Sequence, residues 1–263
     1  MFEVSAASRA GSAAPNEDRF LVGESWALVL DGITRYPEDG CVHDVPWYVD
    51  RLGAAIADRV ADVRLDLGTV LALAIGAVNG RHSGTCDLEN PVSPGATVGI
   101  VRLVERRVEW LVLGDCTLAE RDLDDTVRAE TDGRLQQLAD PPGAVDVGGV
   151  RRFPVDYIAR VRNREGGFWV ASTDPDAAGR AFRGTWPLDR IGELLLCTDG
   201  LTRLTERYDR TLHEMFAMAS GEGMEALIDL VREEAERDGN IHPKAKRHDD
   251  ATGVLLRCNP SAK

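Results

Sequence analysis

Apolar positions change period several times along the chain. Short extended patterns come first: FEVSAAS at 2–8, RFLVG at 19–23, and WALVLDG at 26–32, a run of apolar residues stopped by Asp31-Gly32. Helical spacing follows. In residues 46–61, Val49, Leu52, Gly53, Ile56 and Val60 line one face, and 68–82 (GTVLALAIGAVNGRH) predicts a second helix, apolar on most sides. Residues 95–115 return to strand character, as two strands around a turn at Glu105-Arg106. Further short strands and loops fill 116–150, with breakers at Pro141-Pro142-Gly143 and Gly148-Gly149. A helix closed by glycine is predicted over VDYIARVRNREGG (155–167), then a strand over IGELLLCTDG (191–200). Met224, Leu227, Ile228, Val231 and Ala235 form the stripe of a late helix, and ATGVLLRC (251–258) is the last strand. Strand runs interleaved with helix pairs, without a repeat or linker, predict one α+β layered domain over residues 1–263.

Several strands end or begin on acid. The pattern occurs as ALVLDG (Asp31), EWLVLGDC (Asp115) and ELLLCTDG (Asp199), in mirror image as HDDATGVLL (Asp249, Asp250), and as Glu17-Asp18 before an early strand. A single Asp-Gly after a strand is more often a turn than a ligand. Five such sites on strong strands weaken that explanation. Carboxylates gathered on neighbouring strand ends repel, so some take up protons or a cation binds. An all-oxygen ligand set selects a hard ion such as Mg²⁺ or Mn²⁺. Glycine after Asp31 lets a backbone carbonyl approach such an ion.

Charge and cysteines narrow the field. A net charge of −13 argues against a nucleic-acid partner. No window is apolar enough for a membrane span, and MFEVSAASRA lacks the basic and apolar regions of a signal peptide. The cysteines, at 41, 86, 116, 197 and 258, are odd in number and show no CxxC or Cys/His spacing. Neither a disulfide framework nor a zinc site is expected, a reducing cytoplasm fits, and Cys197 and Cys258 read as small core residues.

NEDRF, ALVLDGIT, GATVGIV, WLVLGDCTL, LLLCTDGL and HDDATGVLL occur in that order. Together they resemble the motifs of the type-2C (PPM) metal-dependent protein serine/threonine phosphatases, in a bacterial version. The resemblance implies a four-layer α-β-β-α sandwich of two antiparallel sheets flanked by helices, with two Mg²⁺ or Mn²⁺ ions at one edge. It implies that Asp31 bridges the ions, that Glu17 and the Gly32 carbonyl bind one, and that Asp199 and Asp249 bind the other. Asp18 would hold a metal-bound water, and Asp115 with Asp199 would offer a third position. Asp250 and Thr252 share the last motif without being expected ligands. The implied substrate is a phosphoserine or phosphothreonine protein, attacked by activated water with no covalent protein nucleophile.

The chain departs from the family at the substrate side. Ala13 stands where an arginine grips phosphate, Ile33-Thr34-Arg35 replaces a histidine- or glycine-bearing stretch, and GDCTL replaces Gly-Asp-Ser-Arg. Arg9, Arg19 and Arg35 are the candidate substitutes for the missing arginine. An active phosphatase is therefore weighed against a weak or inactive binding module, and against a small-molecule phosphohydrolase. Residues 140–190 are expected to form a flap, with Phe168 and Trp169 packed inside it rather than on substrate. The basic stretch HPKAKRH (242–248) is either a solvated loop or a steering element beside Asp249.

Overall fold

Two five-stranded antiparallel sheets lie face to face. The structure, a computed structural model, describes residues 2–147, 150–238 and 246–258. One sheet has the order β1 (Phe2–Arg9), β12 (Ala251–Cys258), β11 (Ile191–Cys197), β6 (Thr117–Asp122), β7 (Val127–Thr131). The other runs β10 (Phe182–Pro187), β5 (Arg107–Leu113), β4 (Ala96–Val104), β3 (Trp26–Gly32), β2 (Asp18–Val22). A separate hairpin pairs β8 (Val145–Val147) with β9 (Val150–Arg152).

Strand alternation builds the layers. On β3, Ala27 and Val29 face the other sheet, where they meet Leu118, Leu194, Leu196, Val254 and Leu256. Leu28 and Leu30 point the other way, onto α1 (Val45–Val60) and α2 (Leu67–His82). On β11, Leu194 and Leu196 lie between the sheets, while Leu195 and Cys197 face α4 (Asp199–Arg207), α5 (Leu212–Gly221) and α6 (Met224–Arg237). A strand covered on both faces is continuously apolar rather than alternating, as WALVLDG and IGELLLC are. The result is the expected four layers, helix–sheet–sheet–helix.

Local signals place the helices. Asp44 caps α1 by accepting from Trp47 N, with proline in the first turn, and Asp66 caps α2 by accepting from Gly68 and Thr69. The stripe predicted for the last helix is buried at all five positions of α6. One expectation needs correction. The helix predicted over 155–167 is α3 (Val155–Val161) and stops before its glycines. There Asn163 takes a left-handed φ of 50° and its side chain accepts from Val170 N, so the chain folds back instead of winding on. The helix predicted over 68–82 is α2, buried along one side with Leu73 exposed on the other. Among the described residues no helix is long and apolar enough to cross a membrane.

Candidate metal and phosphate site

The acid-bearing strand ends meet at one edge of the sandwich. Asp18 opens β2 directly opposite Asp31, the penultimate residue of β3, and Thr97 of β4 stands opposite Asp31 on its other side. Asp115 follows β5, Asp199 opens α4 just after β11, and Asp249 precedes β12. Asp31, Asp115, Asp199 and Asp249 all line one cavity of about 320 Å³, with Gly32, Thr34, Thr97 and Gly114. Two glycines are required by this crowding. A Cβ on Gly32 would lie 2.5 Å from the Glu17 carbonyl oxygen, and Gly114 has φ 76° with Thr97 2.5 Å from any Cβ.

Electrostatics marks the same group. Burial drives Asp31 and Asp199 well above the usual carboxylate range, and neighbouring aspartates push further. Burial also pushes Asp115 up to about 6 and Asp18 up to about 7, with nearby carboxylates adding to each. Glu17 is raised chiefly by burial, although the Thr34 hydroxyl, donating at 2.5 Å, opposes the shift.

Not every predicted residue reaches the cavity wall. Asp18 is 1% exposed and lies behind the wall, where its Oδ2 accepts the Thr198 hydroxyl at 2.7 Å. That hydroxyl also accepts the Thr252 amide at 3.0 Å, so Asp18 ties the ends of β11 and β12 together. Glu17 stands one step back as well, 3.9 Å from Lys246 Nζ. Asp250 points away, its two oxygens accepting the Gly11 and Glu17 amides.

The three arginines expected to grip phosphate are committed elsewhere, which corrects that expectation. Arg9 pairs with Glu225 and Asp229 of α6, Arg19 with Asp50 of α1, and Arg35 with Asp39 while donating to the Cys41 carbonyl. None lines the cavity. Their proximity in sequence to Glu17 and Asp31 does not bring them to the cavity, because carboxylates outside it hold all three guanidinium groups.

Other cations do line it. Lys246 donates to the Thr34 hydroxyl at 3.0 Å and stands 3.4 Å from Asp249. Burial opposes its charge, but Asp249 and Glu17 outweigh that and raise its pKa. The residues of HPKAKRH before Lys246 lie outside the described residues, yet Lys246 itself belongs to the site. Arg203, one turn after Asp199 on α4, donates to Asp249 and to the Lys246 carbonyl. Arg152 donates to the Thr34 and Arg35 carbonyls at 2.8 Å and lies over the Tyr36 ring. Arg207 lies on the cavity wall.

Arg162 is the most unusual. It is 3% exposed, and its Nε and Nη2 have no hydrogen-bond partner among the described residues. Burial lowers its pKa to about 10. It lines the cavity beside Tyr36, Phe153, Ile158, Phe168 and Val170. Phe168 and Trp169 are buried, as expected, although Phe168 also reaches the wall. Asp132, not singled out in the sequence, is buried there, paired with Arg134 and accepting the Gly114 amide that precedes Asp115.

Solved structures show the same architecture. The Mycobacterium tuberculosis serine/threonine phosphatase PstP/Ppp superposes with a TM-score of 0.63 at 15% identity, over 98% of this chain and 99% of that one. The fold is that of the type-2C serine/threonine phosphatases. Staphylococcus aureus Stp1 gives a TM-score of 0.62 at 14% identity, covering 98% and 96%. The PstP catalytic domain in complex with two manganese ions gives 0.59 at 17%, covering 97% of each. No family model matches the sequence, and no curated protein does.

Outside the cavity, the structure corrects the reading of the cysteines. Cys41 and Cys86, 45 residues apart, bring their sulfurs to 2.9 Å, with His82 Nδ1 3.6 Å from Cys41 Sγ. No sequence spacing marks the cluster, because its members come from a loop and from the end of a helix.

Proposed function

We propose that the protein is a Mg²⁺- or Mn²⁺-dependent phosphatase acting on phosphoserine and phosphothreonine in proteins. The observation that carries this reading is the convergence of Asp31, Asp115, Asp199 and Asp249 on a cavity also lined by Arg152, Arg162, Arg207 and Lys246. The donors fit hard divalent ions. All are oxygens, and the raised pKa values of Asp31 and Asp199 mark a crowding of acid that a cation relieves.

In this reading Glu17, Asp31 and the Gly32 carbonyl would hold one ion, while Asp31, Asp199 and Asp249 would hold another. Asp115 with Asp199 offers a third position. When bound, such ions supply a water of lowered pKa and offset charge on the phosphoryl oxygens. The chain's own groups do the rest. Asp18 acts as a positioning residue, fixing through Thr198 the strand ends that carry Asp199 and Asp249. Arg203 orients Asp249. Arg162, with donors free and water largely excluded, receives the substrate phosphate in place of the arginine that Ala13 replaces. Arg152 and Arg207 add positive charge to the same wall, and Tyr36, Ile158, Phe168 and Val170 bed the residue next to the phosphorylated one.

The whole chain acts as one phosphatase domain, with the flap that carries Arg152 and Arg162 shorter than the expected 140–190, since Phe182–Pro187 is a strand of a main sheet and Ala171, Ala177 and Ala178 pack in its core. The cysteine usage fits a reducing cytoplasm, where phosphorylated proteins are the substrates.

A second reading has one observation in its favour. Lys246 and Arg203 both bear on Asp249, so cations already partly balance the proposed ligand set. A protein that holds a phosphorylated partner without turnover would be built that way. Hydrolysis of p-nitrophenyl phosphate and a phosphothreonine peptide separates the two. Activity that requires Mn²⁺ and collapses in Asp31→Asn supports the phosphatase, whereas phosphopeptide binding without turnover at any Mn²⁺ concentration supports the binding module.

A further inference from the structure

Cys41, His43, His82 and Cys86 come together away from the cavity. Cys41 and His43 lie in the segment between β3 and α1, which follows Asp31-Gly32 directly. His82 ends α2, and Cys86 sits just beyond it. The ligand atoms of Cys41, His82 and Cys86 all fall within 4.8 Å of one another. His82 is 1% exposed, its Nδ1 turned to Cys41 and its Nε2 without a hydrogen-bond partner among the described residues. The His43 ring stands 6.2 Å from the His82 ring, stacked at 3.9 Å on Trp47. The Val42 amide approaches Cys86 Sγ at 3.4 Å, as an amide donor does to a thiolate ligand.

We propose that Cys41, His82 and Cys86 form a binding site for a soft divalent ion of the zinc class. Two sulfurs and an imidazole are the ligand set that selects zinc over magnesium or manganese, so this site and the carboxylate cavity choose different ions. Burial disfavours the charged form of His82, and the neutral imidazole is the form that ligates. On binding, the Cys41 and Cys86 thiols each release a proton to solvent, and His82 contributes the Nδ1 lone pair. With Zn–S bonds of about 2.3 Å, tetrahedral ligation would part the sulfurs to about 3.8 Å. A disulfide, at about 2.05 Å, would instead draw them closer and leave His82 with no role. The fourth position falls to water or to His43.

Such an ion would fasten the loop after Asp31 at its far end. That loop is already stitched down: Asp39 accepts from Arg35 and from the Cys41 amide, and the Gly40 carbonyl accepts the Asp87 amide at 2.8 Å. Zinc at Cys41 would close a loop whose other end carries Asp31 and Gly32.

The test uses the full chain, reduced, stripped of metal and titrated without oxygen, first with Co²⁺ and then with Zn²⁺. The expected result is one equivalent of cobalt with sulfur-to-cobalt charge-transfer absorption, bleached by zinc. Asp199→Asn should keep it, and Cys86→Ser should weaken it at least about 100-fold. One equivalent of zinc should raise the unfolding temperature of the parent protein more than that of Cys86→Ser. Absence of the charge-transfer band in the reduced parent protein overturns the proposal. So does a Cys41–Cys86 disulfide in the protein as purified whose reduction yields no band, which would make the pair a redox couple instead. The readout is absorption by sulfur-bound cobalt, so failure here leaves the phosphatase reading untouched, and failure of hydrolysis leaves this one untouched.

Discussion

Asp250 Oδ2 accepts the Glu17 backbone amide at 2.6 Å, across 233 residues of sequence. Its other oxygen accepts the Gly11 amide at 2.7 Å. Asp250 therefore fixes the segment before β2, while its neighbour Asp249 faces the cavity. The doubled aspartate is one candidate ligand and one strut.

The two should behave differently when changed. Asp249→Asn should weaken Mn²⁺ binding with little loss of stability. Asp250→Ala strands two amides and should cost about 3 kcal/mol in denaturant unfolding. Its effect on Mn²⁺ affinity should be smaller and should come through Glu17. Equal effects of both changes on metal affinity would contradict the division of labour.

Arg162→Met should separate stability from function. A buried guanidinium with unfilled donors is costly, so replacing it with an apolar side chain of similar length should leave the unfolding temperature equal or raise it. The KM for phosphopeptide should rise about tenfold or more, the worth of a charge-assisted contact of about 1.5 kcal/mol. Arg9→Ala and Arg19→Ala, whose partners lie on α6 and α1, should leave KM within about twofold, as expected for exposed pairs. Steady-state kinetics beside thermal melts reads all three.

The metal-free protein should lose stability as pH rises. Asp18 at about 7 and Asp115 at about 6 bind protons more tightly folded than unfolded, where the ordinary value is 3.8. Between about pH 4 and pH 7 the folded state carries more protons, so raising pH favours unfolding. Their contribution is complete below pH 4 and lost through their folded-state values. Melting curves in chelator should fall across this window, and excess Mn²⁺ at the upper end should restore several degrees. A melting temperature that climbs from pH 4 to 7 in chelator would contradict the crowding described.

Lys246→Gln should tighten Mn²⁺ binding. Its ammonium lies 3.4 Å from Asp249 and 3.9 Å from Glu17, so removing it takes a like charge from the ion's surroundings. About 1 kcal/mol, or roughly fivefold in affinity, is the expected gain for a half-buried charge. Calorimetric titration checks it, and weaker binding would make Lys246 a support for the ligands instead of a competitor.

Much of this was legible in the sequence because strand ends are local signals. WALVLDG and IGELLLC are apolar on both faces, so both had to lie inside a layered sandwich, and the acids at their ends had to meet at its edge. The phosphate-binding side was not legible. Arg9, Arg19 and Arg35 are near the motifs in sequence, but carboxylates outside the cavity took them elsewhere. Arg162 and Lys246 reach the cavity through irregular segments whose path no periodicity reports. The Cys41–His82–Cys86 cluster was hidden for a similar reason, joining a loop to a helix end 45 residues away. One missed element did carry a signal: Thr211-x-x-Glu214 is the capping box that opens α5.

The central claim is that the acids at this sheet edge support metal-dependent hydrolysis of a phosphorylated side chain. Phosphate release from a phosphothreonine peptide, measured on the full chain in chelator and then in Mn²⁺, tests it most directly. The account predicts no release in chelator, sustained turnover with Mn²⁺, and loss of that turnover in Asp199→Asn with the fold intact. Turnover that persists in chelator, or that survives in Asp199→Asn, would contradict it.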